Sequence, residues 1–180
     1  SYRLVGSEMC IRDRVIDIGG GSTELILGQD DPEQLTSRFM GCVSWSERFF
    51  VGGRVTRAAM DDAINAARQQ LGGVMRGMRE TGWDHALGSS GTVKAIEAVL
   101  MQSGLTADGI TLSGLDALAD RLISLGTPEQ FDLPGLPDHR RPVIAGGLAI
   151  LIAAFRSLHI ETLTWVNAAL KEGLLVQMLG

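Results

Sequence analysis

The sequence predicts an α/β domain that opens with a three-stranded antiparallel meander and continues as α/β units. Three β-rich runs, at residues 15–18, 23–27 and 35–40, follow one another with only glycine-rich or Asp-Pro turns between them. Turns this short join neighbouring strands in antiparallel order. Beyond residue 55, segments with helical periodicity alternate with two further strand-like runs, which is the pattern of α/β units.

The downstream elements complete a recognisable order. Periodicity and apolar content predict helices at residues 56–81, 93–102, 113–125, 142–158 and 168–178, with brief strands at 85–88 and 162–166. Thr56 is suited to cap the first helix, and the helix at 142–158 is apolar enough to be buried. The order β-β-β-α-β-α-α-α-β-α matches the ribonuclease H-like layout, with extra helices inserted before the final strand.

Composition limits the class of protein. The 180 residues, 45% of them hydrophobic, suffice for one globular domain that folds without disulfides or metals. A formal net charge of −5 argues against a nucleic-acid-binding protein. Cys10 and Cys42 lack paired spacing, which indicates reduced thiols and a cytoplasmic location. No apolar run reaches the roughly 18–20 residues of a membrane span.

Residues 1–13 differ from the rest of the chain. They have neither helical nor strand periodicity, and they resemble a translated sequencing adapter. We therefore expect residues 1–13 to be non-native and residues 14–180 to form a single domain. The alternative is a divergent N-terminal arm.

The strongest functional signal is the turn between the first two predicted strands. It consists of Asp17, Gly19, Gly20, Gly21, Ser22, Thr23 and Glu24. The three glycines leave the backbone free to curl its N–H groups around an anion. Asp17 is placed to orient a divalent cation or its waters, the two hydroxyls add donors, and Glu24 adds a second carboxylate. Three glycines alone could serve only a tight turn, but the full string favours a phosphate loop.

A second signal lies between the strand at 85–88 and the helix at 93–102. Its residues are Gly88, Ser89, Ser90, Gly91 and Thr92. A glycine-rich turn from strand to helix places free N–H groups and the positive end of the helix dipole where a phosphate can bind. An ordinary helix cap by Ser90 or Thr92 is the alternative.

A third signal is the pair Arg140-Arg141 ahead of the buried helix. Either arginine could bind phosphate through two hydrogen bonds, and we assign Arg141 as the candidate ligand. A solvated helix start is an equally good explanation. Gly146 and Gly147, inside the apolar helix, indicate close helix packing rather than chemistry.

Taken together, these motifs resemble the exopolyphosphatase/guanosine pentaphosphate phosphohydrolase family, a branch of the actin-like ATPase superfamily. The resemblance runs from about residue 15 to residue 180. It rests on the strings VIDIGGGSTEL, FMGCVSWSERFF, GSSGTVKAI, GLAILIAAF and ALKEGLL, in that order. It implies an actin-like fold and Mg²⁺-dependent hydrolysis of the terminal phosphate of polyphosphate or guanosine pentaphosphate, through in-line attack by water.

The resemblance also implies a role for each matching residue. Asp17 would lie near the metal, and Glu24 would help to order the metal or the water. Residues 19–22 would cradle the terminal phosphates, and residues 88–92 would form a facing loop. Lys171 stands near the family's usual arginine-containing final motif, where lysine keeps the charge but loses the bidentate geometry of arginine.

One departure from the family concerns the N-terminal side. Family members carry an N-terminal lobe with another phosphate loop and a glutamate that acts as the base toward water. Nothing upstream of Arg14 supplies either of them. We therefore expect this chain to be the C-terminal lobe, inactive or nearly so by itself, of a parent enzyme that forms a homodimer.

Two other functions stay open from the sequence. An acetate- or sugar-kinase-like lobe would bind an adenine nucleotide and phosphorylate an acceptor. A non-catalytic module that senses polyphosphate or an alarmone would bind without turnover. Asp17 and Glu24 argue against the sensor, because a protein that only binds a polyanion does not need carboxylates beside it.

Overall fold

The computed structural model describes residues 13–28, 35–79, 85–167, 169, 172 and 173, which hold six strands and five α-helices. The strands are β1 (Asp13–Ile18), β2 (Thr23–Gly28), β3 (Leu35–Arg38), β4 (His85–Ser89), β5 (Ile110–Thr111) and β6 (Thr162–Trp165). The helices are α1 (Cys42–Phe49), α2 (Arg57–Arg79), α3 (Gly91–Gln102), α4 (Leu112–Leu125) and α5 (Ile144–Leu158). Short 3₁₀ turns occupy Val51–Gly53, Pro128–Gln130 and Asp138–Arg140.

The strands form one sheet in the order β3-β2-β1-β4-β6-β5. β1, β2 and β3 pair antiparallel, which confirms the predicted meander. β4 lies parallel to β1, and β6 lies parallel to β4, as expected for α/β units. The carboxyl ends of β1, β4 and β6 therefore share one edge of the sheet, which is the usual ligand edge of such folds.

The two faces of the sheet belong to different clusters of buried side chains. Ile16 and Ile18 of β1 join the large core formed with the helices. Because side chains alternate along a strand, Val15 lies on the opposite face. There it forms a smaller cluster with Ile26, Leu87 and Val166. Asp17 shares the face of Val15, whereas its neighbour Ile18 faces the helices.

α5 is the centre of the helical layer, and every residue in it except Arg156 is buried. A Cβ atom at Gly146 would overlap Ser46 Oγ of α1 and would lie 2.6 Å from the carbonyl oxygen of Cys42. A Cβ atom at Gly147 would overlap Thr92 of α3. The two glycines thus let α1 and α3 approach α5 closely, which confirms the packing role predicted for them.

Arg14 ties β1 to the C-terminal end of α5. Its side chain is buried, and Nη1 donates a hydrogen bond to the carbonyl oxygen of Leu158 at 3.0 Å. A cation at this end of a helix is favourable, because the last carbonyls carry partial negative charge. Burial lowers the pKa of Arg14 to about 10, which leaves the side chain charged at neutral pH.

Several elements differ from the sequence-based expectation. The third strand ends at Arg38 rather than at residue 40, because the chain turns there into α1, a helix that was not predicted. β5 also was not predicted; it has two residues and pairs antiparallel with the edge of β6. The predicted Thr56 cap is confirmed, since Ala59 N–H donates to Thr56 Oγ1 at 3.1 Å.

Some predictions concern residues beyond those described. Residues 1–12 and most of the predicted helix at 168–178 lie outside the described residues. Among the described helices, none is long and apolar enough to cross a membrane.

Replacing Gly146 by alanine should lower the free energy of unfolding by about 1–3 kcal/mol, because the added methyl group must push α1 away from α5. Urea denaturation measures this effect. Gly72→Ala is the control: Gly72 is an exposed glycine of α2 with open space around its Cβ position, so alanine should stabilise by roughly 0.5–1 kcal/mol. Equal stability of Gly146→Ala and the parent would contradict the close contact between the helices.

Candidate functional site

The two glycine-rich turns meet at the carboxyl ends of β1 and β4. The turn after β1 is closed by a hydrogen bond of 2.8 Å from the N–H of Gly19 to the carbonyl oxygen of Ser22. The turn after β4 passes through Ser90, whose φ of 104° is unusual for a residue other than glycine. Ser90 caps α3 by accepting a hydrogen bond from Val93 N–H at 3.4 Å. Since β1 and β4 are parallel neighbours, both turns lie at the same edge of the sheet.

The N-terminus of α1 holds the first turn in a defined orientation. Cys42 N–H donates to the carbonyl of Gly19 at 2.9 Å, and Val43 N–H donates to the carbonyl of Gly20 at 2.9 Å. In a trans peptide the N–H points opposite to the preceding carbonyl, so the N–H groups of Gly20 and Gly21 point away from α1. Within the described part of the chain, neither of these N–H groups has a protein acceptor. They are therefore available to an anion.

A cavity of about 370 Å³ lies between the two turns. It is lined by Ile18, Gly19, Gly20, Cys42, Val43, Ser90, Gly91, His139, Arg140 and Val143. The N-termini of α1 and α3 border the cavity, and so does Val143, the residue that precedes α5. Each helix N-terminus carries partial positive charge, so the three together favour an anionic ligand.

Arg140 stands at the mouth of the second turn. Its Nη1 donates a hydrogen bond to Thr92 Oγ1 at 3.2 Å. Its Nη2 lies against Gly91, where even a Cβ atom would overlap it. The guanidinium group therefore lies beside the N-terminus of α3, with Thr92 buried beneath it.

Arg141, the arginine assigned from the sequence, lies elsewhere. Its Nη2 is 3.0 Å from Asp138 Oδ1 and 3.5 Å from Asp132 Oδ1, both of them exposed carboxylates outside the cavity. The geometry brings Arg140 to the turns and does not bring Arg141 there. The sequence alone could not distinguish these adjacent residues, because the 3₁₀ turn at Asp138–Arg140 decides which side chain faces inward.

The acidic residues form a row on the other face of the same strand ends. Asp17 pairs with Glu24 across β1 and β2, and with Ser89 across β1 and β4. Residues paired in this way place their side chains next to one another on one face of the sheet. The structure thus brings both predicted carboxylates together. They lie on the face opposite Ile18, so they flank the glycine turns without lining the cavity.

The donor atoms of this row suit a hydrated Mg²⁺ ion. Two carboxylates supply the hard oxygen ligands that Mg²⁺ prefers, and Mg²⁺ usually keeps several of its waters. Ser89 Oγ, in the same row, is buried and has no hydrogen-bond partner among the described residues. The described residues contain no group of three or more His, Cys, Asp or Glu side chains that could hold a metal by itself.

The other predicted ligands occupy varied environments. Thr23 is buried, and its Oγ1 donates to the carbonyl oxygen of Met40 at 2.7 Å, so this hydroxyl faces the protein interior. Gly88 is also buried, and a Cβ atom there would lie 2.6 Å from a methyl group of Val93. Ser22 is half-buried on the first turn. Lys171 lies outside the described residues.

A larger open groove of about 690 Å³ runs between the C-terminal end of α3 and α4, away from both glycine turns. Its charged residues are Asp120, Arg121 and Asp132, and the two carboxylates are exposed and paired with Arg57 and Arg141. No helix N-terminus borders this groove among its lining residues. The smaller cavity therefore has the stronger anion-binding character.

Comparison with known proteins identifies relatives of this chain. The model of the Ppx/GppA phosphatase family matches residues 1–180. A guanosine-5'-triphosphate,3'-diphosphate pyrophosphatase of Vibrio cholerae serotype O1 is 41% identical over 168 residues, which cover 93% of this chain and 34% of the relative. The protein of the same name from Aeromonas hydrophila is 41% identical over 167 residues, with 92% and 34% covered. The chain thus spans about a third of the length of these curated relatives.

Solved structures agree on the fold. An Aquifex aeolicus Ppx/GppA enzyme superposes with a TM-score of 0.75 at 22% identity, covering 92% of this chain and 56% of that one. An exopolyphosphatase from Cytophaga hutchinsonii superposes with a TM-score of 0.73 at 20% identity, covering 94% and 57%. These superpositions confirm the actin-like, ribonuclease H-like fold. Since the family model matches the chain from end to end, the protein belongs to the Ppx/GppA phosphatase family.

Proposed function

We propose that this chain provides the phosphate-binding site of a phosphohydrolase that removes the terminal phosphate of guanosine pentaphosphate or inorganic polyphosphate. The observation that carries the proposal is the cavity between the two glycine turns, where three helix N-termini meet a guanidinium group. Membership of the Ppx/GppA phosphatase family supports the reaction class.

The charge around this cavity needs an anion to balance it. Arg140 lies beside the positive N-terminus of α3, an arrangement that is unfavourable without a counter-charge. Among the described residues no carboxylate forms an ion pair with Arg140, whereas the adjacent Arg141 has two. A phosphoryl group between Arg140 and the glycine turns would supply the missing negative charge and accept their hydrogen bonds.

The same geometry suits phosphoryl transfer. During transfer, negative charge is spread over the phosphoryl oxygens, and donors that are already in place stabilise that charge without reorganising. The N–H groups of Gly20 and Gly21 and the guanidinium of Arg140 are such donors. Asp17 and Glu24 would hold a hydrated Mg²⁺, which neutralises phosphate charge when it is bound. We expect the proton of the attacking water to pass to a glutamate, as the family resemblance implies.

The composition of the cavity wall favours a substrate that is more than a phosphate chain. Ile18, Val43 and Val143 give it an apolar side beside the polar side of His139 and Arg140. Inorganic polyphosphate has no apolar surface to place there, whereas a nucleotide does. The names of the curated relatives also favour guanosine pentaphosphate.

We further propose a cytoplasmic location, in keeping with the free thiol of Cys42, and a homodimeric parent enzyme.

To test the catalytic proposal, this chain is inserted into the Vibrio cholerae relative in place of its matching region. The chimaera should release phosphate from guanosine pentaphosphate in the presence of Mg²⁺. Asp17→Asn should lower that rate by at least about 100-fold, because the cation loses a charged ligand beside the phosphate. Asp116→Asn is the control, since Asp116 pairs with Arg156 on the distant surface of α4 and α5. Tight binding without phosphate release would support the sensor function instead, and ATP-dependent phosphorylation of an acceptor would support the kinase function.

The anion site is tested by comparing the two adjacent arginines. Arg140→Ala should weaken the binding of tripolyphosphate by about 10- to 100-fold, because a charge-assisted hydrogen bond is lost next to a helix N-terminus. Arg141→Ala should change the affinity by less than about twofold, since the ion pairs that it removes, with Asp132 and Asp138, lie outside the cavity. Isothermal titration calorimetry measures both. A larger loss for Arg141→Ala would restore the sequence-based assignment and refute the cavity as the phosphate site.

A further inference from the structure

We infer that the N-terminus of α1 shapes the phosphate-binding turn, and that Gly41 and Thr23 are positioning residues through which it does so. This inference rests on the proposed function in one respect, namely that the turn after β1 binds phosphate. It adds a reason why that turn has its anion-binding shape before any ligand arrives.

Hydrogen bonds join the N-terminus of α1 to the turn. The first N–H groups of a helix lack partners inside the helix and are usually satisfied by a capping side chain or by water. The N-cap of α1 is Gly41, which has no side chain to offer. Instead, Cys42 N–H donates to the carbonyl of Gly19, and the N–H groups of Val43 and Ser44 donate to the carbonyl of Gly20, at 2.9–3.1 Å. The turn is thus the cap of the helix.

This capping has a consequence for the opposite side of the turn. With both carbonyls held toward α1, the N–H groups of Gly20 and Gly21 must point away from the helix. The two peptide dipoles align with the dipole of α1, since each carbonyl faces the positive helix end and each N–H faces outward. Hydrogen bonds in such a chain strengthen one another. The turn therefore passes the positive character of α1 on to the ligand side.

Gly41 makes this contact sterically feasible. A Cβ atom at Gly41 would overlap the carbonyl group of Gly20 and would lie 2.5 Å from the nitrogen of Gly21. The backbone of Gly41 is extended, with φ of −142° and ψ of 171°, which any residue can adopt. The need for glycine here is therefore close approach and not backbone freedom. Any side chain at this position would push the turn away from α1.

Thr23 holds the other end of the turn to the same segment. Its Oγ1 donates to the carbonyl oxygen of Met40 at 2.7 Å, and both residues are buried. This bond joins the first residue of β2 to the residue just before Gly41. The turn is accordingly held at two points, by the helix N–H groups and by the Thr23 hydroxyl.

Hydrogen bonds with two other helices, α5 and α2, hold α1 in place. Gly146 N–H, in the first turn of α5, donates to Ser46 Oγ at 3.1 Å. Trp45 Nε1 donates to the carbonyl oxygen of Ala63 in α2 at 2.9 Å. These bonds hold α1 against α5 and α2, so we expect a change at Gly41 or Thr23 to displace the turn rather than α1.

The test measures tripolyphosphate affinity and thermal stability on the 180-residue chain. Gly41→Ala should weaken binding by about tenfold or more, because the N–H groups of Gly20 and Gly21 move with the displaced turn. Gly114→Ala is the control: a Cβ atom at Gly114 would lie 2.5 Å from the side-chain methyl group of Thr106, a close contact on the remote helix α4. It should lower stability and change the affinity by less than about twofold.

Thr23 provides a second, gentler test should Gly41→Ala not fold. Thr23→Val keeps the shape but loses the hydroxyl, and it should weaken binding by about 3- to 10-fold. Thr23→Ser keeps the hydroxyl and should bind as the parent does to within about twofold. A purely structural role for Thr23 would lower the stability of Thr23→Val while leaving its affinity unchanged.

The outcomes separate this inference from the proposed function. Parent-like affinity in folded Gly41→Ala and in Thr23→Val would overturn the inference, and so would an equal loss of affinity in Gly114→Ala. If the parent chain does not bind tripolyphosphate, the turn is not an anion site and the inference also fails. If these variants behave as expected but the Vibrio cholerae chimaera releases no phosphate, the inference stands and the catalytic proposal fails.

Discussion

The parallel pairing of β1 with β4 is the constraint on which the rest of the site depends. It aligns Asp17 with Ser89, although about seventy residues of chain separate them, and it brings the turns that follow both strands to one edge of the sheet. α3 starts directly from the second turn, and α1 docks its N-terminus onto the first. α5 can then approach between them because Gly146 and Gly147 carry no side chains. The cavity between the turns is formed because α1, α3 and α5 all come close to this edge of the sheet.

The electrostatics of the site follow from the same arrangement. Three helix N-termini and Arg140 place positive character around one small cavity, while Asp17 and Glu24 lie on the opposite face of the strand ends. For the phosphohydrolase that we propose, the site would offer a terminal phosphoryl group hydrogen-bond donors on one side and carboxylates for a hydrated cation on the other. Neither half would suffice alone, because donors without a cation leave much of the phosphate charge unbalanced.

Sequence patterns predicted the elements that carry a strong local signal. These elements are the meander, both glycine turns and the buried helix. The packing role of Gly146 was predicted as well. The eight-residue α1 was not predicted, because its stability comes from docking onto the turn and onto α5 rather than from periodicity. The orientations of Arg140 and Arg141 depend on one 3₁₀ turn, and the inward-facing hydroxyl of Thr23 depends on a contact with Met40. Such details are set by tertiary contacts, which no local pattern records.

In the proposed function, the backbone of the first turn binds the phosphoryl group directly. The most direct measurement is a titration of the ¹⁵N-labelled chain with tripolyphosphate, followed by amide chemical shifts. We expect the Gly20 and Gly21 amide protons to move downfield in a saturable manner, since hydrogen bonds to a phosphate deshield the donating protons. Gly91 should respond as well, on the facing turn. Shifts confined to exposed cationic positions such as Arg57, with the glycine amides unchanged, would contradict direct binding by the turn.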